Sequence, residues 1–323
     1  MSNKRPKVVI TDCDHPTVEI EKEILSEIDP EFVLVHCNTE EEVIEVAKDA
    51  DGIINQYAPI TRRVIESLKR CKVIARYGVG VDNIDIEAAT EHKIIVANVP
   101  DYCVDEVSTH AIALILACAR GITLLDRKRR EKRWDFTLAK PLFRTKGKTL
   151  GLFGLGKIAR AVAQKASGFG FKIIAYDPYV SKVDRRIKLV EFSQLLSDSD
   201  FISIHSPLTD ETRHLFGENK LRAMKKTAYL INTARGPIIN EKDLYVALKE
   251  KWIAGAALDV MEKEPPDWEN PLLKLDNLII TPHISFYSEE SYVELKTKTA
   301  EAVLSVLKGE LPRTFVNPQV VKG

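Results

Sequence analysis

The segment Thr149-Leu-Gly-Leu-Phe-Gly-Leu-Gly-Lys-Ile-Ala-Arg160, near the middle of the chain, leaves few folds open. An apolar run of strand length passes through closely spaced glycines straight into a helix-forming run, which is the order of a parallel βα unit. The spacing Gly154-x-Gly156-x-x-Ala159 gives each small residue a physical task. Gly154 permits the tight turn out of the strand, Gly156 lets the backbone approach a bulky anion, and Ala159 lets the helix lie close to the strand. The helix start, at Lys157 and Ile158, turns free N–H groups and the positive dipole end toward that anion. A second apolar run, Phe171–Tyr176, follows and ends in Asp177, placed to accept hydrogen bonds from a ribose. The segment therefore predicts a dinucleotide-binding βαβ unit.

The rest of the chain repeats that alternation. Strand-like runs at 7–11, 32–36, 52–55, 73–75 and 94–96 alternate with helical patterns near 17–27, 40–47, 61–69 and 84–90. A second series of strands is predicted near 150–153, 172–176, 201–204, 228–231, 255–258 and 278–280, and a long helical region, 104–133, separates the two series. Such alternation implies parallel sheets covered by helices on both faces. The expected fold class is α/β with two doubly wound domains: a Rossmann domain, 101–286, inserted into a flavodoxin-like domain. The latter is made of residues 1–100 and a last helix in 287–323 that returns to it.

Bulk properties exclude several classes. Lys plus Arg and Asp plus Glu both number 47, so no global charge favours nucleic acid or an anionic membrane. The run Asp126-Arg-Lys-Arg-Arg-Glu-Lys-Arg133 reads as a solvated helical face, since acids interrupt it. Five scattered cysteines, never spaced C-x-x-C, argue against a disulfide framework or zinc site and fit a reducing cytoplasm. The N-terminus has no secretory apolar region, and the longest apolar helical stretch, 111–119, is too short to span a bilayer. Asp12-Cys-Asp-His15 has no partner cluster, so no metal is expected.

Three polar residues stand just beyond apolar strands of the second series: Arg235, Glu264 and His283. In a doubly wound sheet, ligands bind outside the carboxyl ends of the strands, which aims all three at one crevice. An imidazole exchanges a proton near neutrality. A carboxylate orients it and stabilises its charged form. A guanidinium binds a carboxylate through its planar fork. Together they set a cation, an acid and an imidazole beside a bound dinucleotide. His205, in a loop after a strand, reads as lining of the cofactor cleft, with proton transfer as the other role open to it. His110 reads as core or hinge packing.

These motifs, with Tyr77-Gly-Val-Gly-Val-Asp-Asn-Ile-Asp85, Asn98-Val-Pro100 and His205-Ser-Pro-Leu-Thr209, resemble the D-isomer-specific 2-hydroxyacid dehydrogenase family over almost the whole chain. The resemblance implies an NAD-dependent oxidoreductase with Arg235, Glu264 and His283 as catalytic residues. It implies Asp259 at the nicotinamide carboxamide, and a cofactor cleft that takes in Lys157, Ile158, Asp177, His205, Pro207, Thr212, Thr233 and Ala234. The substrate carboxylate would meet the backbone of Val79 and Gly80, with Tyr57, Arg76 and Arg235 on the substrate side. Members acting on phosphoglycerate usually have an arginine near Asn55, so its replacement points to a smaller 2-oxo acid of glyoxylate or hydroxypyruvate type. Formate-oxidising members pair the histidine with glutamine, and Glu264 departs from them. A homodimer through the cofactor domain is expected, because 104–143 holds more apolar residues than one domain face needs. The alternative is an NAD(H)-sensing, corepressor-like binding protein of the same fold with little turnover.

Overall fold

The structure, a computed structural model, describes residues 5–321. It contains two compact units, one running to Tyr102 and resuming at Ser288, the other Cys103–Tyr287.

The first unit begins with β1 (Lys7–Ile10), α1 (Glu19–Leu25), β2 (Glu31–Leu34), α2 (Glu40–Ala47), β3 (Gly52–Asn55), α3 (Arg62–Ser67), β4 (Val73–Arg76), α4 (Ile86–Glu91) and β5 (Ile95–Ala97). Its five strands are parallel in the order β2-β1-β3-β4-β5. Val9 sits between Val33 and Ile53 in register. This is the flavodoxin-like order, whose switch point lies between β1 and β3. The helices start where side chains satisfy their free amides. Thr39 and Glu42 cap α2 reciprocally, and Asp85 accepts from Ala88 N at 2.8 Å to start α4.

The second unit opens with α5 (Val104–Arg120) and α6 (Ile122–Arg130), followed by β6 (Thr149–Phe153), α7 (Lys157–Ser167), β7 (Lys172–Tyr176) and β8 (Ile187–Leu189). Then come α8 (Phe192–Asp198), β9 (Phe201–Ile204), α9 (Glu218–Ala223), β10 (Tyr229–Asn232), α10 (Glu241–Lys249), β11 (Gly255–Leu258) and β12 (Leu278–Ile280). The seven parallel strands run β12-β11-β10-β9-β6-β7-β8, so the order reverses beside β6 and the Rossmann switch point falls at the glycine turn. Successive strand residues enter opposite cores. Ile202, Leu230 and Ala256 face one, and Phe201, Ile231 and Ala257 the other. Burial on both faces is why these strands read as unbroken apolar runs. The chain then returns to the first unit through α11 (Glu289–Leu307), started by a reciprocal Ser288–Ser291 cap.

Two expectations need correction. The long helical region is two helices, bent by 64° at Gly121, and the second ends at Arg130. The strand β8 was not anticipated, since Ile187-Lys-Leu189 is too short to show periodicity. Among the described residues no single helix is long and apolar enough to cross a membrane. The basic face of α6 is internally paired: Arg127 and Lys128 meet Asp276, both at 2.9 Å, and Arg129 and Arg130 meet Asp126.

Candidate active site

The glycine turn is built as its spacing implies. Gly154 adopts φ +86°, and a Cβ there would lie 2.8 Å from the Ser206 amide nitrogen, so only glycine fits between β6 and the loop after β9. Gly156 faces open space, leaving room for a bulky anion before the first amides of α7, at Lys157 and Ile158. Asp177, just past β7, accepts from Leu155 N at 2.8 Å and Tyr179 N at 2.9 Å, which holds the acid against the turn. Two buried hydroxyls at the same ends of the strands, Ser206 Oγ and Thr233 Oγ1, have no hydrogen-bond partner within the protein. Buried polar groups are rarely left unpaired, and this pair, with the open glycine turn, fits a bound dinucleotide. Ser206 was not singled out from the sequence, although it lies inside the His205-Ser-Pro motif.

Around that turn the remaining cofactor-side residues differ in what they do. His205 Nε2 lies 2.9 Å from Ser203 Oγ, and burial pushes its pKa down to about 4. The ring is therefore neutral and a weak proton acceptor near neutrality, as a lining residue would be. Thr212 donates to the Pro207 carbonyl at 2.8 Å and shapes the 207–212 loop. The 232–235 turn after β10 is set by Asn232, whose side chain accepts from Ala234 N at 3.0 Å and donates to the Arg235 carbonyl at 2.8 Å.

At the next strand ends, Glu264 and His283 meet. His283 Nδ1 is 2.6 Å from Glu264 Oε2, while Glu264 Oε1 accepts from Met261 N at 2.8 Å. A ring nitrogen at that distance from a carboxylate donates, which leaves Nε2 to exchange a proton. His283 also holds φ at +52°, a conformation uncommon outside glycine that persists only where surroundings enforce it. Here its own N–H donates to the carbonyl of Asp259 at 2.8 Å. The Arg235 loop is brought to the same place by a close approach. A Cβ on Gly236 would collide with the Met261 carbonyl, so glycine allows this loop to lie directly against the one that presents Glu264. Arg235 itself donates to the Ala234 carbonyl at 2.7 Å.

Asp259 has a structural task that the sequence did not reveal. Its side chain is fully buried and accepts from Thr281 Oγ1 at 2.6 Å, Ile284 N at 3.0 Å and Ser285 N at 2.9 Å. His110 Nε2 reaches Thr281 Oγ1 at 3.0 Å, so this histidine braces the same segment. Together they fix the backbone on either side of His283.

In the first unit, Asp12 organises the loop that bears Tyr57. Its carboxylate accepts from the amides of Gln56, Tyr57 and Ala58 at 3.1, 2.5 and 3.1 Å. Arg76 Nε donates to the Gln56 carbonyl at 3.2 Å. Val79 and Gly80 follow in a turn whose Val79 carbonyl accepts from Asn98 Nδ2 at 2.7 Å. Asn55, where the sequence lacks an arginine, ends β3. It is fully buried, donates to Thr11, Asp12 and Ala58, and accepts from Asn83, so its side chain is spent inside the fold. The surface residue of this loop is Tyr57, 51% exposed.

A Rossmann unit with a glycine turn, an acid held against that turn and a carboxylate–imidazole pair at the strand ends fits a nicotinamide-dependent oxidoreductase. Comparison with known proteins agrees. Residues 112–285 match the D-isomer specific 2-hydroxyacid dehydrogenase NAD-binding domain. The chain is 38% identical over 330 residues to a glyoxylate reductase of Korarchaeum cryptofilum, covering 98% of each. It is 44% identical over 316 residues to a D-3-phosphoglycerate dehydrogenase of Methanocaldococcus jannaschii, covering 96% of this chain and 59% of that longer protein. Among solved structures it superposes on a D-lactate dehydrogenase of Aquifex aeolicus complexed with NAD and lactic acid, with TM-score 0.87 and 28% identity. The match covers 96% of this chain and 99% of that one. The chain belongs to the D-isomer specific 2-hydroxyacid dehydrogenase family, and its cofactor is NAD.

Proposed function

We propose that this oxidoreductase reduces small 2-oxo acids of glyoxylate or hydroxypyruvate type at the expense of NADH, with Arg235, Glu264 and His283 as its catalytic residues. The observation that carries this reading is the 2.6 Å contact of His283 Nδ1 with Glu264, which leaves Nε2 to deliver a proton to the substrate oxygen. Bound NADH supplies the hydride that reaches C2. Glu264 stabilises the imidazolium before that transfer and orients the ring throughout. Arg235 grips the substrate carboxylate and polarises the C2 oxygen. The amides of Val79 and Gly80 form the complementary anion nest in the first unit, with Tyr57 and Arg76 on the substrate side. On this reading the first unit is the substrate-binding domain and the second the NAD-binding domain. The 38% identity to a glyoxylate reductase supports a small 2-oxo acid, and the 44% identity to a D-3-phosphoglycerate dehydrogenase makes 3-phosphohydroxypyruvate the substrate to compare it with.

Turnover of glyoxylate, hydroxypyruvate and 3-phosphohydroxypyruvate with NADH tests it. The first two are expected to be reduced with higher kcat/KM than the third. The reverse ranking overturns the substrate assignment, and no turnover of any 2-oxo acid favours the corepressor-like alternative.

The same reading includes a cytoplasmic homodimer. None of the five cysteines forms a disulfide among the described residues, which suits a reducing compartment. In the segment after the bend, Ile122, Trp134, Phe136 and Phe143 expose apolar side chains, Trp134 and Phe136 by 91% and 73%. Such a surface suits an isologous contact. Sedimentation at micromolar concentration is expected to give twice 36.4 kDa; a monomer mass defeats the dimer.

A further inference from the structure

A fully buried ion pair lies beneath the turn just assigned to the substrate carboxylate. Glu21 on α1 and Lys296 on α11 have no exposed side-chain surface, and Nζ stands 3.4 Å from Glu21 Oε2. Lys296 Nζ also donates to the Thr17 carbonyl and sits 5.0 Å from the centre of the Tyr292 ring. The other oxygen of Glu21 accepts a 2.6 Å hydrogen bond from the hydroxyl of Tyr77. His15, its side chain almost wholly buried, sets its ring edge-on to Tyr77 and Tyr292 at 5.0 and 4.7 Å between centres.

Stability alone is a poor reason for such a pair. Taking two charges out of water costs several kcal/mol per ion, and apolar residues of similar volume often serve folding as well or better. What apolar residues do not provide is a directional, charged acceptor for a buried phenol. Burial, and then the neighbouring charge of Glu21, push the Tyr77 hydroxyl well above its ordinary pKa, so it remains a donor. Tyr77 is thus held at its tip by Glu21 and at its backbone by the Asn55 carbonyl, 2.8 Å from its N–H. It is the first residue after β4, and Gly78, Val79 and Gly80 follow directly. On the other side of the turn, the Gly78 carbonyl accepts from Val99 N at 2.9 Å and the Val79 carbonyl from Asn98.

We propose that Lys296, Glu21 and Tyr77 form a positioning network that sets the Val79–Gly80 amides at the height the substrate carboxylate needs. The returning helix α11 thereby contributes to substrate binding without touching substrate. This rests on the reading of the 78–80 turn as the carboxylate nest.

The test compares the full-length wild type with Tyr77→Phe, which removes one oxygen from a packed ring, and with Glu21→Leu/Lys296→Met, which makes the pair apolar. Each is assayed with NADH and the best 2-oxo acid, alongside its thermal midpoint and its NADH Kd by fluorescence titration. Loss of a hydrogen bond to a charged partner predicts a KM raised on the order of tenfold, with kcat within about twofold and NADH Kd unchanged. Glu21→Gln, which keeps an acceptor for the phenol, is expected to hold KM closer to the wild-type value than Glu21→Leu/Lys296→Met does. A purely structural role would lower the thermal midpoint and leave the KM of the folded enzyme alone. Tyr77→Phe with KM within twofold of wild type overturns the proposal, whatever the double variant does. If the wild type reduces no 2-oxo acid, the functional reading itself has failed, and the network proposal with it.

Discussion

At the scale of single residues, the site depends on which atom of each side chain is already engaged. His283 uses Nδ1 on Glu264, so only Nε2 can exchange a proton. His283→Ala is therefore expected to lower turnover by ~100- to 10,000-fold, with NADH affinity within about twofold, because the loss is confined to proton transfer. Turnover near the wild-type rate would remove His283 from the mechanism. Arg235→Lys is expected to raise KM and lower kcat together, since an ammonium cannot reproduce the guanidinium fork. Steady-state kinetics that show only one of these changes would disagree. Asp177 stands at the glycine turn, with exposed Tyr179 two residues on. The nearby Arg186 is occupied by Asp184 at 2.9 Å. A 2′-phosphate would meet the acid, so kcat/KM is expected to be higher with NADH than with NADPH. Equal or better efficiency with NADPH would contradict the role given to Asp177.

At the scale of elements, three loops at strand ends act as one unit because each is tied to the next. Gly236 rests on the Met261 carbonyl, Met261 N holds Glu264, and Asp259 holds the backbone around His283. Gly236→Ala forces a methyl into the Met261 carbonyl, and the loops must separate. Overpacking of this kind costs typically 1–3 kcal/mol, seen as a lower denaturation midpoint. The same displacement is expected to reduce kcat at least tenfold, because catalytic geometry tolerates little misplacement. A variant with a wild-type midpoint and kcat would show that the approach is not needed. The elements themselves were mostly legible in advance. Runs such as Tyr229–Asn232 read as strands because both faces are buried, and Gly154 and Gly156 marked the turn after β6; the caps at Thr39 and Asp85 emerged only in the structure. The bend at Gly121 was not legible, since Val104–Arg133 is helix-forming throughout apart from that residue.

For the whole molecule, acid sensitivity follows from buried imidazoles. His205 keeps a pKa of about 4 in the fold against 6.5 for the free side chain, and burial also lowers His15. Between those values the unfolded chain binds more protons than the folded one, so stability rises with pH. The contribution is complete above about pH 6.5 and is lost progressively as pH falls toward about 4; for His205 it amounts to at most about 3 kcal/mol. Urea midpoints are expected to fall between about pH 7 and about pH 5, and His205→Asn should flatten part of that slope. An identical slope in the variant would mean that other groups govern the acid limb.

Local pattern alone determined the parallel α/β class, the glycine turn with Asp177, and the three polar residues set beyond apolar strands, because strand periodicity, turn chemistry and strand-end placement are written in neighbouring residues. Tertiary structure decided what each polar group is used for. Asn55, singled out only because it is not an arginine, is consumed by Thr11, Asp12, Ala58 and Asn83. Asp259 and His110, 149 positions apart, converge on Thr281. Lys296 reaches Glu21 from the far end of the chain, and neither residue type suggests a core position. Burying a polar group is tolerable only when distant partners arrive to satisfy it, and which partners arrive depends on how the whole chain returns on itself.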